Sequence, residues 1–245
     1  MTSRKINMGM EMSFYDHLDE LRKRIIIIVI ILLIGTIVCF TFIDDIILFV
    51  TSKAGDLDLI YTTPAEAFMA QIRLSIISSV LVTLPFTLYQ ILAFILPALR
   101  KKEKKAAILL LFFMILLFYA GLLFAYYVVF PYALYFFLGF ATEGLLPLFT
   151  ISNYISFVFS FVIGFGVVFQ VPLIFWFLGN LSLISSVFLR TNRKYALLLI
   201  AIISAVITPP DLFSMLLMMG PLLLLYEIGI LLVRLTERRR LRFEK

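Results

Sequence analysis

Two acidic side chains sit where a cationic ligand could be gripped. Glu20 belongs to Ser13-Phe-Tyr-Asp-His-Leu-Asp-Glu-Leu-Arg-Lys-Arg24, and Glu103 is the lone acid in Pro97-Ala-Leu-Arg-Lys-Lys-Glu-Lys-Lys105. Separated carboxylates can each take one guanidinium through a bidentate bond, and lysine is a poor substitute because it lacks the planar fork. A plainer reading stands beside this one. Asp19–Lys23 and Glu20–Arg24 are spaced as i,i+4 pairs on a solvated helix face, and the bases around Glu103 suit anionic lipid head groups. Phe14, Leu18, Leu21 and Ile25 recur at helical spacing, so the segment predicts an amphipathic helix lying along an interface. Ser13 with Asp16 forms an acidic variant of a capping box.

A second set of polar residues lies inside apolar runs: Arg73, Gln170 and Glu227. Ionisable groups there are costly and by default functional or paired. Snorkelling is the competing reading for Arg73, about 10 Å into its run, and for Glu227, about two turns from Arg234. Gln170, roughly 24 Å along its run, predicts an amide bonded to a neighbouring helix or facing a wetter concave surface. Thr208-Pro209-Pro210-Asp211 forbids helix continuation and forces a turn. Intramembrane hydrolysis has no base, because the only histidine, His17, precedes the first apolar run, and no HExxH, Walker or Gly-rich nucleotide motif is present. The chain is therefore expected to be no enzyme and to carry no cofactor or metal; Cys39 alone makes no disulfide or thiol metal site.

The elements that must position these residues follow from composition. The 245 residues are 63% apolar and 15% charged, with mean hydropathy +1.10, against about 45–50% and about 25% in soluble domains. That excess calls for a bilayer, and continuous rather than alternating runs exclude a β-barrel. The runs are Ile25–Ile43, Ala67–Leu96, Ala106–Phe130, Tyr154–Leu178, Tyr195–Ile207 and Leu212–Val233. Six helices are expected, with Pro85 kinking the second. The fifth, about 20 Å long, is too short for a hydrocarbon layer of about 30 Å, so it thins the bilayer or fails to cross fully. We expect the last two helices to be the short ones. Of the 21 Lys and Arg, all but Lys53 and Arg73 fall in the N-terminal segment, the second and fourth loops and the tail. By the positive-inside rule both termini are cytoplasmic. The expected organisation is a cytoplasmic amphipathic segment (1–24), one six-helix transmembrane domain (25–233) and a basic cytoplasmic tail (234–245). The net charge of +6 is spread between apolar runs and is no nucleic-acid signal. Acids among the N-terminal bases and the lack of an A-x-A site argue against a cleaved leader, and no organellar transit peptide is expected either, which favours a prokaryotic cell membrane or an organelle-encoded protein.

The order and spacing of several motifs resemble the TatC family, the core receptor of the twin-arginine protein translocase. They are His17-Leu-x-Glu20-Leu21-Arg22-x-Arg24, Pro64-x-Glu66-Ala-Phe68, Phe94-x-x-Pro97-Ala98-Leu99-x-x-x-Glu103, Phe130-Pro131, Thr208-Pro209-Pro210-Asp211 and Tyr226-Glu227-Ile228-Gly229. The resemblance implies a six-helix, cup-shaped all-α membrane protein that binds twin-arginine signal peptides of folded cargo on its cytoplasmic face. It implies assembly with TatA/TatB-type single-span proteins in homo- and hetero-oligomers, and transport driven by the proton gradient without nucleotide. By motif, Glu20 and Glu103 would hold the arginine pair, Arg22 would shape the N-terminal part of that site, and Phe94 would lie beside the second loop. Asp44–Glu66, with Pro64, Glu66 and Phe68 at its end, and Pro131–Ser152 would form external caps. Pro209, Pro210 and Asp211 would form the tight outer turn. Many members carry glutamate where this chain has Gln170, and a neutral amide there bonds a partner helix rather than relaying protons. The rival reading is a small-solute transporter or permease subunit using Arg73, Gln170 and Glu227 as a midplane site, against which no inverted repeat or paired broken helices are visible.

Overall fold

The computed structural model describes residues 14–55, 57, 59–98, 101–140, 148–208 and 210–243, without the side chains of 14–16, 98, 101–103, 105, 106 and 239–243. The Ser13–Asp16 cap and Pro209 therefore lie outside the described residues.

The fold is helical, and proline placement accounts for where its helices end or deform. α1 (Phe14–Thr41) runs without a break, so the segment expected to lie along the interface continues directly into the first span. Short α2 (Ile43–Thr51) and β1 (Leu59–Ile60) lead to α3 (Pro64–Ile95). In α3, Pro64 occupies the first turn, where its missing N–H costs nothing, and Pro85 is carried inside the helix. After a 3₁₀ turn (Leu96–Ala98), α4 (Lys101–Phe124) passes through a π-helical turn (Ala125–Val129) into α5 (Phe130–Leu138). The third run was expected to stop at Phe130 with a cap starting at Pro131. Instead the helix continues for two more turns, because widening the backbone to i→i+5 bonds accommodates Pro131 without ending it. β2 (Phe149–Thr150) pairs in parallel with β1, Leu59 opposite Phe149 and Ile60 opposite Thr150, and so ties the two outer segments together.

The fourth run is also not one helix. α6 (Ile151–Val168) and α7 (Val171–Asn180) are separated at Phe169–Gln170, since Pro172 has no N–H for the carbonyl four residues back. α8 (Ser186–Thr191), α9 (Arg193–Ile207) and α10 (Leu212–Phe243) complete the chain. α9 is short, as expected, but α10 is not. Its 32 residues run through Pro221 and on into the basic tail, where no Gly or Pro interrupts the Arg-rich stretch. The expectation of two short terminal helices therefore holds for α9 only.

Among the described residues, five stretches are long and apolar enough to cross a membrane: His17–Thr41, Pro64–Ile95, Ala107–Leu138, Ile151–Asn180 and Leu212–Arg238. α1 packs along α3, α4 along α6, and α10 against α7 and α9. The core centres on α6, with Tyr154, Phe161 and Phe165 fully buried beside Phe130. The Phe130 and Tyr154 rings meet edge to face at 5.6 Å. Tyrosine hydroxyls act as pegs between elements: buried Tyr154 donates to the Val50 carbonyl at 3.1 Å, Tyr126 to Phe49 at 2.6 Å and half-buried Tyr119 to Leu81 at 2.9 Å. Close approach uses glycine. A Cβ on Gly121 would stand 2.7 Å from the Phe165 carbonyl oxygen, and one on Gly35 would stand 2.5 Å from Ser79 Oγ, which itself donates to Leu32 of α1 at 2.9 Å.

Candidate signal-peptide site and spanning polar residues

The beginning of α1 crosses the end of α3, and this crossing organises Glu20. Glu20 Oε1 accepts from Arg24 Nη2 at 3.2 Å, one helical turn on. Arg24 in turn donates through Nη1 to Gln90 of α3 at 2.6 Å. The i,i+4 pair read from spacing is thus present, and Gln90 makes it part of an interhelical network. Glu20 is half-buried, with its side chain 20% exposed, which strengthens a charge-assisted bond relative to open water. Three residues earlier the His17 ring stacks on Phe94 at 4.3 Å and 20°, so both aromatic members of the motifs line the same crossing. Arg22 is exposed. Glu103 sits in the first turn of α4, but its side chain lies outside the described residues. Arg24 and Gln90 escaped the sequence reading as site residues: Arg24 looked like a simple helix-face partner, and nothing in the spacing of Gln90 marked it as its anchor.

The three polar residues of the spanning runs have separate partners. Gln170 Nε2 donates to the carbonyls of Met114 in α4 at 3.2 Å and Gly166 at 3.3 Å, which is the interhelical amide expected for this position. Its Oε1 is buried without a partner among the described residues. Glu227 bonds Arg193 at 2.7 Å across α9 and α10, with both side chains about half exposed. Of the two readings left open for Glu227, the structure shows the paired one, with the cation supplied by the start of α9. Arg73 Nη1 donates to Ser156 Oγ of α6 at 2.7 Å. Ser156 is nearer the β1–β2 end than the Arg73 backbone, so the side chain reaches toward its helix N-terminus, as helical side chains tend to do.

At that same end the motif prolines and acids act as helix starts. Thr62 donates to Glu66 Oε2 from its N–H at 2.9 Å and its hydroxyl at 2.6 Å, while Thr63 Oγ1 accepts from the Glu66 N–H at 3.2 Å. Pro64 and Glu66 thereby fix the entry of α3, and Phe68 remains exposed one turn on. Asp211 Oδ1 accepts from the Ser214 N–H at 2.6 Å, an N-cap for α10, and Pro210 precedes it in the turn.

Residues 16–221 match the family model described as Sec-independent protein translocase protein (TatC). The chain belongs to the TatC family. The TatC of Carboxydothermus hydrogenoformans is 39% identical over 237 residues, covering 96% of this chain and 98% of that protein. The TatC of Synechocystis is 35% identical, covering 93% and 90%. A crystal structure described as the twin-arginine translocase receptor TatC superposes with a TM-score of 0.79 at 39% identity, covering 90% of this chain and 99% of that one. The chain thus has the TatC fold and is a multi-pass membrane component of the twin-arginine translocase, a transport protein rather than an enzyme.

Proposed function

We propose that this TatC-family chain receives twin-arginine signal peptides where α1 crosses α3, with Glu20 and Glu103 each taking one guanidinium. The observation that carries the reading is the half-buried Glu20, held by an Arg24 that is itself anchored to Gln90. Glu20 Oε1 is committed to Arg24, and Oε2 makes no hydrogen bond among the described residues. An incoming guanidinium can therefore add to the network without dismantling it. Because positive charge surrounds the site, its affinity rests on short-range bidentate geometry rather than long-range attraction. Arg22, exposed on the same turn as Glu20, lies at the rim, and Phe94 with His17 offers an aromatic surface for the residues that follow the arginine pair.

In this reading the chain crosses a prokaryotic cell membrane six times, with α9 as the short fifth crossing and both termini cytoplasmic. The distribution of Lys and Arg supports that orientation. The organisation is a cytoplasmic start (1–24), a transmembrane domain (25–233) and a basic tail (234–245). TatA/TatB-type single-span partners gather in homo- and hetero-oligomers, with lipid perturbed beside α9, and the proton gradient drives transport. Gln170 contributes a helix–helix hydrogen bond and no titration. The transporter alternative has no observation in its favour, because Arg73, Gln170 and Glu227 are each engaged by a different neighbour.

Photo-crosslinking a twin-arginine peptide to membranes carrying Glu20→Ala with Glu103→Ala tests the grip. Crosslinking should fall to the level of a twin-lysine peptide; undiminished crosslinking would refute it.

A further inference from the structure

A cation inside a spanning segment needs a counter-charge, and Arg73 has none: among the described residues no carboxylate lies within 4.0 Å of its guanidinium. Ser156 supplies a hydroxyl oxygen instead. The hydroxyl hydrogens of Ser156 and Ser160 are already given to the Ser152 and Ser156 carbonyls at 2.8 Å each, so the donors left for a ligand in the groove are the remaining N–H groups of Arg73 and the Asn153 amide. Two cavities of about 540 Å³ and about 460 Å³ share Ser156 and Ser160 in their linings, and Arg73 lines the larger. The backbone of Arg73 is nine residues into α3, about 14 Å from its start. Its side chain leans back toward that start, so the guanidinium lies nearer the end of the spanning stretch than the Arg73 backbone does.

The α6 wall of this groove changes character along its length. Asn153, Ser156 and Ser160 line the end near β2, and Ile163 and Val167 continue the same helical stripe at the i+3 and i+4 steps away from it. Ile77 and Ile207 close the apolar part from α3 and from the end of α9. The only carboxylate in the two linings, Asp211, belongs to the smaller cavity, where its Oδ1 accepts from the Ser214 N–H and its Oδ2 is buried without a partner among the described residues, so neither oxygen is presented to the groove. A molecule matching this groove has an anion at one end and a hydrocarbon chain at the other, and measures about 17 Å from end to end, the distance from Ser156 to Val167 along α6.

We propose that the groove between α3, α6 and the end of α9 is a phospholipid site. The phosphate bonds the Arg73 guanidinium, and an acyl chain lies along Ile163 and Val167. The site is independent of the Glu20 reading and requires only that the chain sit in a bilayer. A lipid held there would fill the groove beside α9 and be displaced by anything entering along that wall.

Native mass spectrometry of the detergent-purified chain, titrated with phosphatidylglycerol, tests it. Wild type should retain a tight lipid that Arg73→Gln binds about tenfold more weakly, the loss of one charge-assisted bond. Arg73→Lys should recover part of the affinity, and Ser156→Ala should weaken binding less. Retained helicity and thermal midpoint by circular dichroism show that each variant is folded. A second arm needs no variant: a diacyl glycolipid without phosphate should fail to compete for the tight site. Equal binding by Arg73→Gln, or equal competition by the glycolipid, would overturn the proposal. Displacement by millimolar inorganic phosphate alone would overturn the assignment to lipid and leave a free-anion site.

Discussion

The central helix pair and the first helix bury very different shares of themselves. Within the most apolar stretch of α6–α7, 56% of residues are buried inside the chain, against 6% in α1. α6 meets α3, α4 and α9, whereas α1 is attached chiefly along α3. The two interfaces also use different devices. α6 is fixed by aromatic edge-to-face packing and by backbone close enough to need Gly121. α1 is held by smaller contacts: Gly35 against Ser79, the Ser79 bond to Leu32, and Arg24 reaching Gln90. The signal-peptide site proposed here therefore stands on the lightly buried helix, and the rigid frame lies behind it. A receptor edge built this way can adjust to a bound peptide while α6 keeps its packing.

Graded substitutions break or sharpen that contrast. Gly121→Ala should be the most damaging, because its Cβ meets the Phe165 backbone, which cannot rotate away; destabilisation of about 3 kcal/mol is expected. Thermal unfolding in detergent reads it, and an unchanged midpoint would remove the close α4–α6 approach from the account. Tyr154→Phe takes a buried donor from the Val50 carbonyl and should cost about 2 kcal/mol in the same assay. Gly35→Ala meets the side-chain tips of Ser79 and Thr83 rather than backbone and should cost about 1 kcal/mol. Ser79→Ala removes the closest of these contacts and the Leu32 bond, so a double-mutant cycle between the two should show coupling, whereas strict additivity would place the α1–α3 contact elsewhere. Glu227→Gln breaks a half-exposed pair with Arg193 and should change stability by under about 0.5 kcal/mol; a large loss there would mean that α9 depends on that pair.

Much of this architecture was legible before any coordinates. Long apolar runs fixed the spanning stretches because a bilayer demands them, and the turn at Thr208–Asp211 followed from two prolines that cannot continue a helix. The π-helical turn before Pro131 and the break at Phe169–Gln170 were not legible. A proline removes one N–H in every context, and only the surrounding packing decides between a wider turn, a break and, as at Pro85, simple continuation. The length of α10 was misread because a charged tail looks like an ending, although Arg, Glu and Leu are good helix formers. At the site, Glu20 was found through its motif, but the partners of Arg24, Glu227 and Arg73 lie on other helices. Contacts of that kind depend on rotation about helix axes, which spacing along one chain does not encode.

The central claim is tested most directly by titrating the purified chain with a fluorescent twin-arginine leader peptide and its lysine–lysine counterpart. The account predicts about a tenfold or greater preference for the arginine pair, reduced to near unity by Glu20→Gln, because only guanidinium offers the bidentate fork. Equal affinity of the unaltered chain for both peptides would contradict it.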